Sequence, residues 1–395
     1  MRPCRCPRKG AEITAMRHGD ADRTRERVVW QAGLAAAVAV CVLLAGCPSR
    51  RSDEEILVTV TENGDHGNAV AHDKIVEQAR AEGELNWYTS LPGATAKTLL
   101  AQFQKTYPFI QTHLVRSSTF EVARQTDTEI KSGKVQCDVL HVLDVAAFID
   151  LKRRGELYRY VSSEDKAIPE AYKDPGYWTA MRAVTLCMAY DTRRLKAQEA
   201  PKSWEDLTDP KWRGKLGLKD AALAGTAYTE YYFLRDLYGM SYWRKLAEQN
   251  PRVFRTAGEL MDALVAGQIT VASGVTGAGV YQASRVRNQP VAAIIPSEGL
   301  PMMLGPVAIA ADAPHPNCAK LFVDFALSSE VQASLCALSA SYSVRADVPP
   351  PEGQPPLSKL KILQPTGGWD AYYQAQDALQ AEYARFFRGG RHGAD

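Results

Sequence analysis

Small hydroxyl and glycine residues stand at four places in the sequence where a strand-like apolar run gives way to a helical segment. They are Thr89 and Ser90, Ser118 and Thr119, Thr226, and finally Ser273, Gly274 and Thr276. The first turn of a helix has unpaired backbone N–H groups and a partial positive charge, which suits an anionic group. Ser118, Thr119 and Thr226 can instead be plain N-caps, and both roles can coincide. The loops predict an anion site if the fold brings them together.

Other kinds of site find little support in the sequence. The stretch VASGVTGAGVYQ, residues 271–282, lacks the lysine of a P-loop, and its glycines match the dinucleotide fingerprint poorly. Because no GxSxG elbow, HExxH helix or convincing acid/base pair occurs, we predict that the protein is not an enzyme. Without CxxC or Cys/His zinc spacing, we expect neither metal nor cofactor. A formal net charge of +2 gives no reason to expect a nucleic-acid partner.

Strand-like and helical segments alternate from about residue 73 onward, which predicts a parallel sheet with helices on both faces. The helix DKIVEQARAEG precedes the strand ELNWYTS, and the strand CDVLHVL precedes the helix DVAAFIDLKRRG. A second unit begins near RAVTLCMAYD and contains a long helix from about Gly225 to Gln249 and the strand ITVAS. Ligands of open α/β sheets bind outside the carboxyl ends of the strands, where the loops above lie.

The N-terminal region has the layout of a secretory signal. An apolar run follows the basic segment RTRERVVW, ends at Cys47 and is short for a membrane span. Its last residues, LAGC, are similar to a bacterial lipobox, which predicts cleavage before Cys47 and a lipid anchor on it. A plain signal anchor is the alternative, and Met16 would give a more ordinary start than Met1. We predict a signal region over residues 1–47 and a flexible tether over 48–72.

Four cysteines remain after the predicted cleavage and acylation. Cys137 and Cys187 lie in apolar strand-like runs, which favours buried free thiols. Cys318 and Cys336 lie in adjacent helical segments, and outside the cytoplasm a disulfide between them is possible.

An ordered set of segments, covering about residues 73–350, resembles one protein family. The segments are ELNWYTS, YDTRRL, SWEDLTDPKWRGKLGL, GELMDALVAGQITVA and PSEGLPMMLGPVAIAADAPHPNCAKLFVDFALSSEVQ. With the lipobox ahead of them, they are similar to bacterial extracellular solute-binding proteins of the iron(III) and organophosphate type, the capture components of ABC importers. The resemblance implies a two-lobed α/β fold of the type II periplasmic-binding-protein class. Each lobe would be a mixed sheet flanked by helices, joined to the other by crossing strands.

The resemblance also implies domain boundaries and partners. Lobe one is expected over residues 73–180 plus 303–395 and lobe two over 181–302, with hinge closure on a ligand between them. The expected partners are a small anionic ligand, an ABC permease and its ATPase, and a membrane reached through the lipid anchor. The protein is expected to be a monomer in the periplasm or cell envelope, and the choice of inner or outer membrane stays open.

Two charged residues are candidates for the cleft that this fold implies. Arg182, in YWTAMRAVTL, lies near the predicted crossover and would supply a positive charge. The alternative for Arg182 is a surface or interlobe salt bridge. Glu298 lies in the return segment beside Ser297, with a surface turn as the alternative. Asp144 is interpreted as the N-cap of the following helix.

The expected ligand follows from what the second lobe lacks. Iron binders of this family use two adjacent tyrosines just after the strand that here reads ITVAS, whereas this chain has GVTGAG there. Those side chains cannot supply the anionic oxygens that ferric iron prefers. The pair Tyr231-Tyr232 lies on the long helix, where packing is the better account. We therefore expect a phosphorylated or carboxylated metabolite, with a ferric receptor or a sensor for a membrane kinase as alternatives.

Overall fold

The computed structural model describes residues 64–223 and 225–387. The predicted signal region, the lipidation site Cys47 and most of the predicted tether lie outside these residues. The helix that the sequence predicted from Asp73 begins earlier, at Gly64, and ends at Glu82.

The described strands form one 11-stranded mixed sheet. They are β1 (Glu84–Thr89), β2 (Gln111–Arg116), β3 (Val139–His141), β4 (Lys173–Asp174), β5 (Trp178–Asp191), β6 (Leu216–Lys219), β7 (Arg252–Phe254), β8 (Val271–Thr276), β9 (Val291–Ile294), β10 (Leu300–Ile309) and β11 (Ile362–Leu363). The main path runs β2-β1-β3-β10-β5-β8-β6-β7, with β4 and β9 beside β5 and β11 beside β10.

Two groups of parallel strands lie on either side of two long antiparallel strands. In the first group, β1 pairs in parallel with β2 and β3. In the second group, β6 pairs in parallel with β7 and β8. Between them, β10 is antiparallel to β3 and β5, and β5 is antiparallel to β8. We call the part built on β1–β3 the first lobe and the part built on β6–β8 the second lobe, with β5 and β10 as the crossing strands.

The helices follow the strands as the alternation predicted. They are α1 (Gly64–Glu82), α2 (Gly93–Thr106), α3 (Thr119–Ser132), α4 (Val145–Arg153), α5 (Thr226–Glu248), α6 (Ala257–Val265), α7 (Gly277–Tyr281), α8 (Pro316–Leu327), α9 (Ser329–Ser339), α10 (Gly368–Gln374) and α11 (Gln376–Phe387). The aromatic C-terminal segment forms the last two helices, α10 and α11. Within the described residues no single helix is long and apolar enough to cross a membrane. Only α8 and α9 taken together, which are bent by 69° relative to each other, have the length and composition of a membrane span.

Each lobe has its own hydrophobic core. Trp87, Phe103 and Phe322 meet in the first lobe, with ring centroids of Trp87 and Phe322 4.8 Å apart. In the second lobe Tyr231 packs on Trp243 at 4.6 Å. Almost every residue of β5 is buried, as expected of a strand covered on both faces. A charged residue in such a strand, as at position 182, therefore needs a physical explanation.

The four cysteines of the described chain are buried free thiols. Burial is the main reason that the pKa of Cys187 and of Cys318 rises to about 12. The interpretation of Cys137 and Cys187 agrees with this finding. The disulfide that the sequence left open between Cys318 and Cys336 does not form.

Candidate functional site

The carboxyl ends of the parallel strands gather most of the predicted loop residues at one edge of each lobe. Thr89 ends β1 in register with His141, which ends β3. In the second lobe Lys219 ends β6, and Thr276 ends β8. Because parallel strands present their carboxyl ends on the same side, each lobe has one edge where ligand contacts can converge.

In the first lobe Thr89 and Ser90 are tied to the loop after β3. The Thr89 hydroxyl lies 2.8 Å from His141 Nδ1 and accepts the N–H of Leu91 at 3.1 Å. The Ser90 N–H donates to the carbonyl of His141 at 3.0 Å, and its hydroxyl accepts the N–H of Leu143 at 3.3 Å. Thr89 is fully buried and Ser90 is partly exposed. Of the two residues, Ser90 is therefore the one with hydroxyl surface left for a ligand.

Arg182 lies on the crossing strand β5 with its side chain inside the protein. It is opposite Gly305 of β10, where an added Cβ would lie 3.2 Å from Arg182 Cγ and 3.0 Å from His141 Nε2. The absence of a side chain at Gly305 thus leaves space for both groups. The residue is only 5% exposed, so the surface interpretation that the sequence allowed does not apply.

The guanidinium of Arg182 has few hydrogen bonds and no counter-ion among the described residues. Its one hydrogen bond among the described residues runs from Nη1 to the hydroxyl of Ser341 at 3.2 Å, and its buried Nε has no partner there. No described carboxylate forms an ion pair with it. Burial lowers the pKa of Arg182 to about 10, so the group stays charged at neutral pH. An unpaired buried charge is costly, and this one has no structural counter-ion in the described chain.

His141 is the neighbour of Arg182 that the sequence analysis missed. It is fully buried, and its Nε2 has no hydrogen-bond partner in the described chain. Burial, followed by the charge of Arg182, holds the pKa of His141 well below its usual value. The imidazole is therefore neutral and adds no second charge. The available signal was a histidine inside the apolar run VLHVL.

In the second lobe four polar residues form what we call the second-lobe cluster, namely Lys219, Thr226, Glu230 and Ser273. The Lys219 ammonium donates to the hydroxyl of Thr226, the first residue of α5. The Ser273 hydroxyl donates to Glu230 Oε1. Burial lowers the pKa of Lys219 to about 8 and raises that of Glu230 to about 7. Thr226 and Ser273 were predicted, and the two charged partners were not.

Gly274 has a direct role in this cluster. Its backbone is left-handed, with φ of 68°. An added Cβ would overlap Oε2 of Glu230. Only glycine combines this conformation with so close an approach. The predicted importance of Gly274 therefore has a specific physical basis, which is the position of the Glu230 carboxylate.

Other predicted residues have local hydrogen-bond partners. Ser118 is an exposed N-cap that accepts the Glu121 N–H at 3.2 Å, and Thr119 is the first residue of α3. Thr276 caps α7 by accepting the Gly279 N–H at 3.0 Å. Asp144 caps α4, as predicted, and burial raises its pKa to about 6.

Glu298 is engaged within the second lobe. Its carboxylate accepts the Trp204 N–H at 3.1 Å, and it accepts further bonds from the hydroxyls of Tyr238 and Ser297. These bonds hold a loop to α5 and account for the charge, so we leave Glu298 out of the proposed site.

The tyrosine pair on α5 packs as the sequence analysis argued. Tyr231 contacts the rings of Trp243 and Tyr383, and Tyr232 contacts Tyr372. Burial raises the pKa of both phenols. Nowhere in residues 64–223 and 225–387 do three or more His, Cys, Asp or Glu side chains group as metal ligands would.

A groove outside the predicted cleft is also lined by several cationic side chains. It has a volume of about 610 Å³ on the first lobe and is lined in part by Lys152, Arg153, Lys173 and Trp369. Each of these cations forms an ion pair with an aspartate, at 2.6, 2.8 and 2.7 Å. Since these three cations are paired with aspartates, they do not need an anionic ligand as a counter-ion, in contrast to Arg182.

Two lobes on antiparallel crossing strands, with polar groups at the carboxyl ends of both parallel groups, define a two-lobed solute-binding protein. The chain belongs to the family of bacterial extracellular solute-binding proteins, whose sequence model matches residues 138–373. The predicted resemblance to the capture components of ABC importers is thereby confirmed, as are the fold class and the solute-binding role.

Individual relatives differ in what their names say they bind. A Salmonella typhimurium protein named as a putative 2-aminoethylphosphonate-binding periplasmic protein is 30% identical over 177 residues, which span 42% of this chain and 51% of that protein. AfuA from Actinobacillus pleuropneumoniae, solved with fructose-6-phosphate, has a TM-score of 0.68 at 23% identity over 78% of this chain and 99% of AfuA. Iron-bound HitA from Pseudomonas aeruginosa has a TM-score of 0.67 at 21% identity, over 76% of this chain and 99% of HitA. Both structures show the fold alone.

Proposed function

We propose that this protein captures a small anionic metabolite, phosphorylated or carboxylated, between its two lobes and delivers it to an ABC permease and ATPase. The observation that carries the proposal is the buried Arg182, which has no carboxylate partner among the described residues. Burial of an unpaired charge costs several kcal/mol. A protein that keeps such a charge beside its binding loops gains a strong attraction for an anion, because the anion supplies the missing counter-charge.

The proposed contacts at the first-lobe side are Arg182, on the crossing strand β5, and Ser90, after β1. The guanidinium can bind two oxygens of a phosphate or carboxylate at once, and its unpartnered Nε is one of the donors required. Ser90 offers a partly exposed hydroxyl beside the His141 carbonyl. From the second lobe, Thr226 and Ser273 would approach the other end of the ligand. The predicted lobe boundaries, between residues 180 and 181 and between 302 and 303, would fall within β5 and β10.

The named ligands of the relatives agree with an anion of this kind. One relative is named for an aminoalkylphosphonate, and one fold neighbour holds a sugar phosphate. Both ligands carry a phosphorus oxyanion, which suits an arginine fork. A ferric ion would need phenolates or other hard anionic oxygens, and Tyr231 and Tyr232 are engaged in packing. We therefore prefer an oxyanion ligand and a receptor role without catalysis.

We further propose that the mature protein is a lipoprotein anchored through Cys47 and works as a monomer at the membrane surface. The support is the LAGC sequence after an apolar signal region. Replacement of Cys47 by alanine should move the protein from the membrane fraction to the soluble extracytoplasmic fraction. Retention in the membrane by the C47A variant would contradict the anchor and leave the ligand proposal intact.

A ligand screen tests the main proposal. Purified protein should be stabilised by some phosphate esters, phosphonates or carboxylates, by about 2.7 kcal/mol at a concentration 100 times the dissociation constant. The R182M variant should lose this stabilisation. Stabilisation by ferric complexes alone would overturn the choice of an anionic metabolite. Ligand-dependent activation of a membrane kinase, without import, would replace transport by sensing.

A further inference from the structure

Lys219 and Glu230 in the second-lobe cluster have hydrogen-bonding capacity that the protein does not use. The Lys219 ammonium has three donors, and its one hydrogen bond in the described chain goes to Thr226. Glu230 accepts the Ser273 hydroxyl at Oε1, whereas Oε2 accepts none from the described residues. Their charges interact, but they do not form a direct ion pair. An unused donor and an unused acceptor thus lie near each other.

The position of the Glu230 carboxylate is built into the backbone. Glu230 is 3% exposed and lies on α5, with its carboxylate against strand β8. Gly274, within β8, has φ of 68° and leaves no room for a Cβ beside Oε2. A carboxylate kept in so confined a place, with half of its acceptor capacity unused, resembles a ligand contact more than a stabilising contact.

The pair also lies where a ligand held by Arg182 would extend. Lys219 is the last residue of β6 and Ser273 belongs to β8, so both are at the carboxyl edge of the second lobe. Arg182 and Leu186 lie on the same face of β5, about 13 Å apart at a rise of ~3.3 Å per residue. Leu186 is paired with Thr276 of β8. A ligand several bonds long is therefore needed to reach from Arg182 to the cluster.

The two charges select the kind of group that can bind between them. Glu230 repels a second anionic group, and Lys219 repels an ammonium group. A hydroxyl accepts from an ammonium and donates to a carboxylate, so it satisfies both. The protein's own hydroxyls already do each half of this, since Thr226 accepts from Lys219 and Ser273 donates to Glu230.

We propose that Lys219 and Glu230 bind hydroxyl groups of the ligand, which is therefore a polyhydroxylated anion such as a sugar or polyol phosphate or sugar acid. This inference rests on the proposed function, in which Arg182 holds the anionic group. It separates the sugar-phosphate class from the aminoalkylphosphonate class, which the Arg182 contact alone does not do.

Probes matched in length test the proposal by calorimetry on the purified full chain. Glucitol 6-phosphate, hexyl phosphate and 6-aminohexyl phosphate share the phosphate and differ in the remainder, and gluconate and hexanoate form the same comparison for a carboxylate. The hydroxylated member of a series should bind at least tenfold more tightly than its alkyl counterpart. In E230Q and in K219M that preference should fall about tenfold, with the affinity for the alkyl probe unchanged within twofold.

Glu298→Gln is the matched control, because it makes the same chemical change in the second lobe outside the cluster and should leave the preference unchanged. Melting curves without ligand establish that each variant is folded, and if one variant fails to fold, the other carries the test. Equal affinity for all three phosphates, or preference for 6-aminohexyl phosphate, would overturn this inference and leave the anion receptor in place. Binding of none of the five probes would contradict the proposed function as well.

Discussion

Two regions of the protein handle buried charge in different ways. Beside the first lobe, on the crossing strand β5, Arg182 is unpaired among the described residues and its neighbour His141 is held neutral, so the region has a net positive charge. In the second lobe the charges of Lys219 and Glu230 offset each other. A ligand that suits both regions has its negative charge at one end and uncharged polar groups at the other. We therefore propose that the Arg182 region recognises charge and the second-lobe cluster recognises hydroxyl groups.

Loss of the Arg182 charge should have the largest effect. We expect R182M to weaken the binding of the anionic ligand about 100-fold, which corresponds to ~2.8 kcal/mol for lost charge-assisted hydrogen bonds. The ligand-free protein should become more stable, because an unpaired buried charge is removed. R182K keeps the charge but lacks the planar fork, so its affinity for the ligand should lie between those of the unmodified protein and R182M. Calorimetry and urea unfolding measure these effects, and a ligand-free R182M that unfolds more easily would show that Arg182 is structural.

The carboxylate of the second lobe should produce a pH-dependent effect. Burial raises the pKa of Glu230 to about 7 from an ordinary 4.5, against the nearby charge of Lys219; Cys187 and Tyr242 also face it. A raised carboxyl pKa contributes stability below about pH 4.5 that is lost as the pH rises through about 7.

The E230Q variant lacks this titration. Ligand-free E230Q should match the unmodified protein in urea unfolding near pH 4.5 and exceed its stability at pH 8 by about 3 kcal/mol. Other buried carboxyls, such as Asp144, titrate in both proteins and cancel in the difference. A difference that does not change with pH would mean that Glu230 is not held in a pKa-raising environment.

Substitution of Gly274, which contacts Glu230, should have a smaller effect on stability and tests the position of the carboxylate without changing its charge. G274A introduces strain at φ of 68° and an overlap with Oε2, whereas G214A introduces the same strain at φ of 71° with nothing within 4 Å. We expect G274A to be about 1 to 2 kcal/mol less stable than G214A, in urea unfolding. G274A should also lose the preference for hydroxylated probes. Equal stability and unchanged preference would show that the carboxylate has room to move.

The sequence was sufficient for the fold and for the position of several candidate residues. Ordered segments identified the two-lobed family, and alternation of strand and helix located the end of β1 at Thr89 and the start of α5 at Thr226. Ser273, predicted to begin a loop, lies within β8. The outer ends of α5 were predicted to within a residue, because hydrophobic patterns extend over many residues, but its break at Gly239, where φ is 70°, was not predicted. The pairing of β5 with both lobes was available only from the family resemblance, since long-range pairing has no local signal.

The charged partners could not be predicted because their roles depend on burial. In LGLK, Lys219 has the pattern of a strand end, and Glu230 lies in an aromatic stretch that packing explains. Arg182 was a candidate, but only the structure distinguishes a buried unpaired guanidinium from a surface salt bridge. Glu298 differs from Arg182. It was also a candidate for the cleft, but its carboxylate is already hydrogen-bonded to Trp204 and Tyr238.

The smallest expected effects separate helix caps from ligand contacts, two roles that were equally compatible with the sequence at Ser118 and Thr226. Ser118 accepts the Glu121 N–H and is exposed, whereas the cap of α5 is Gly225 and the Thr226 hydroxyl accepts from Lys219. S118A should therefore cost about 1 kcal/mol of stability in urea unfolding and leave ligand affinity within twofold. T226A should do the reverse, with a threefold to tenfold loss of affinity and little change in stability. If S118A weakened binding as much as T226A does, the exposed start of α3 would have to lie in the cleft, and the assignment of contacts within the first lobe would need to change.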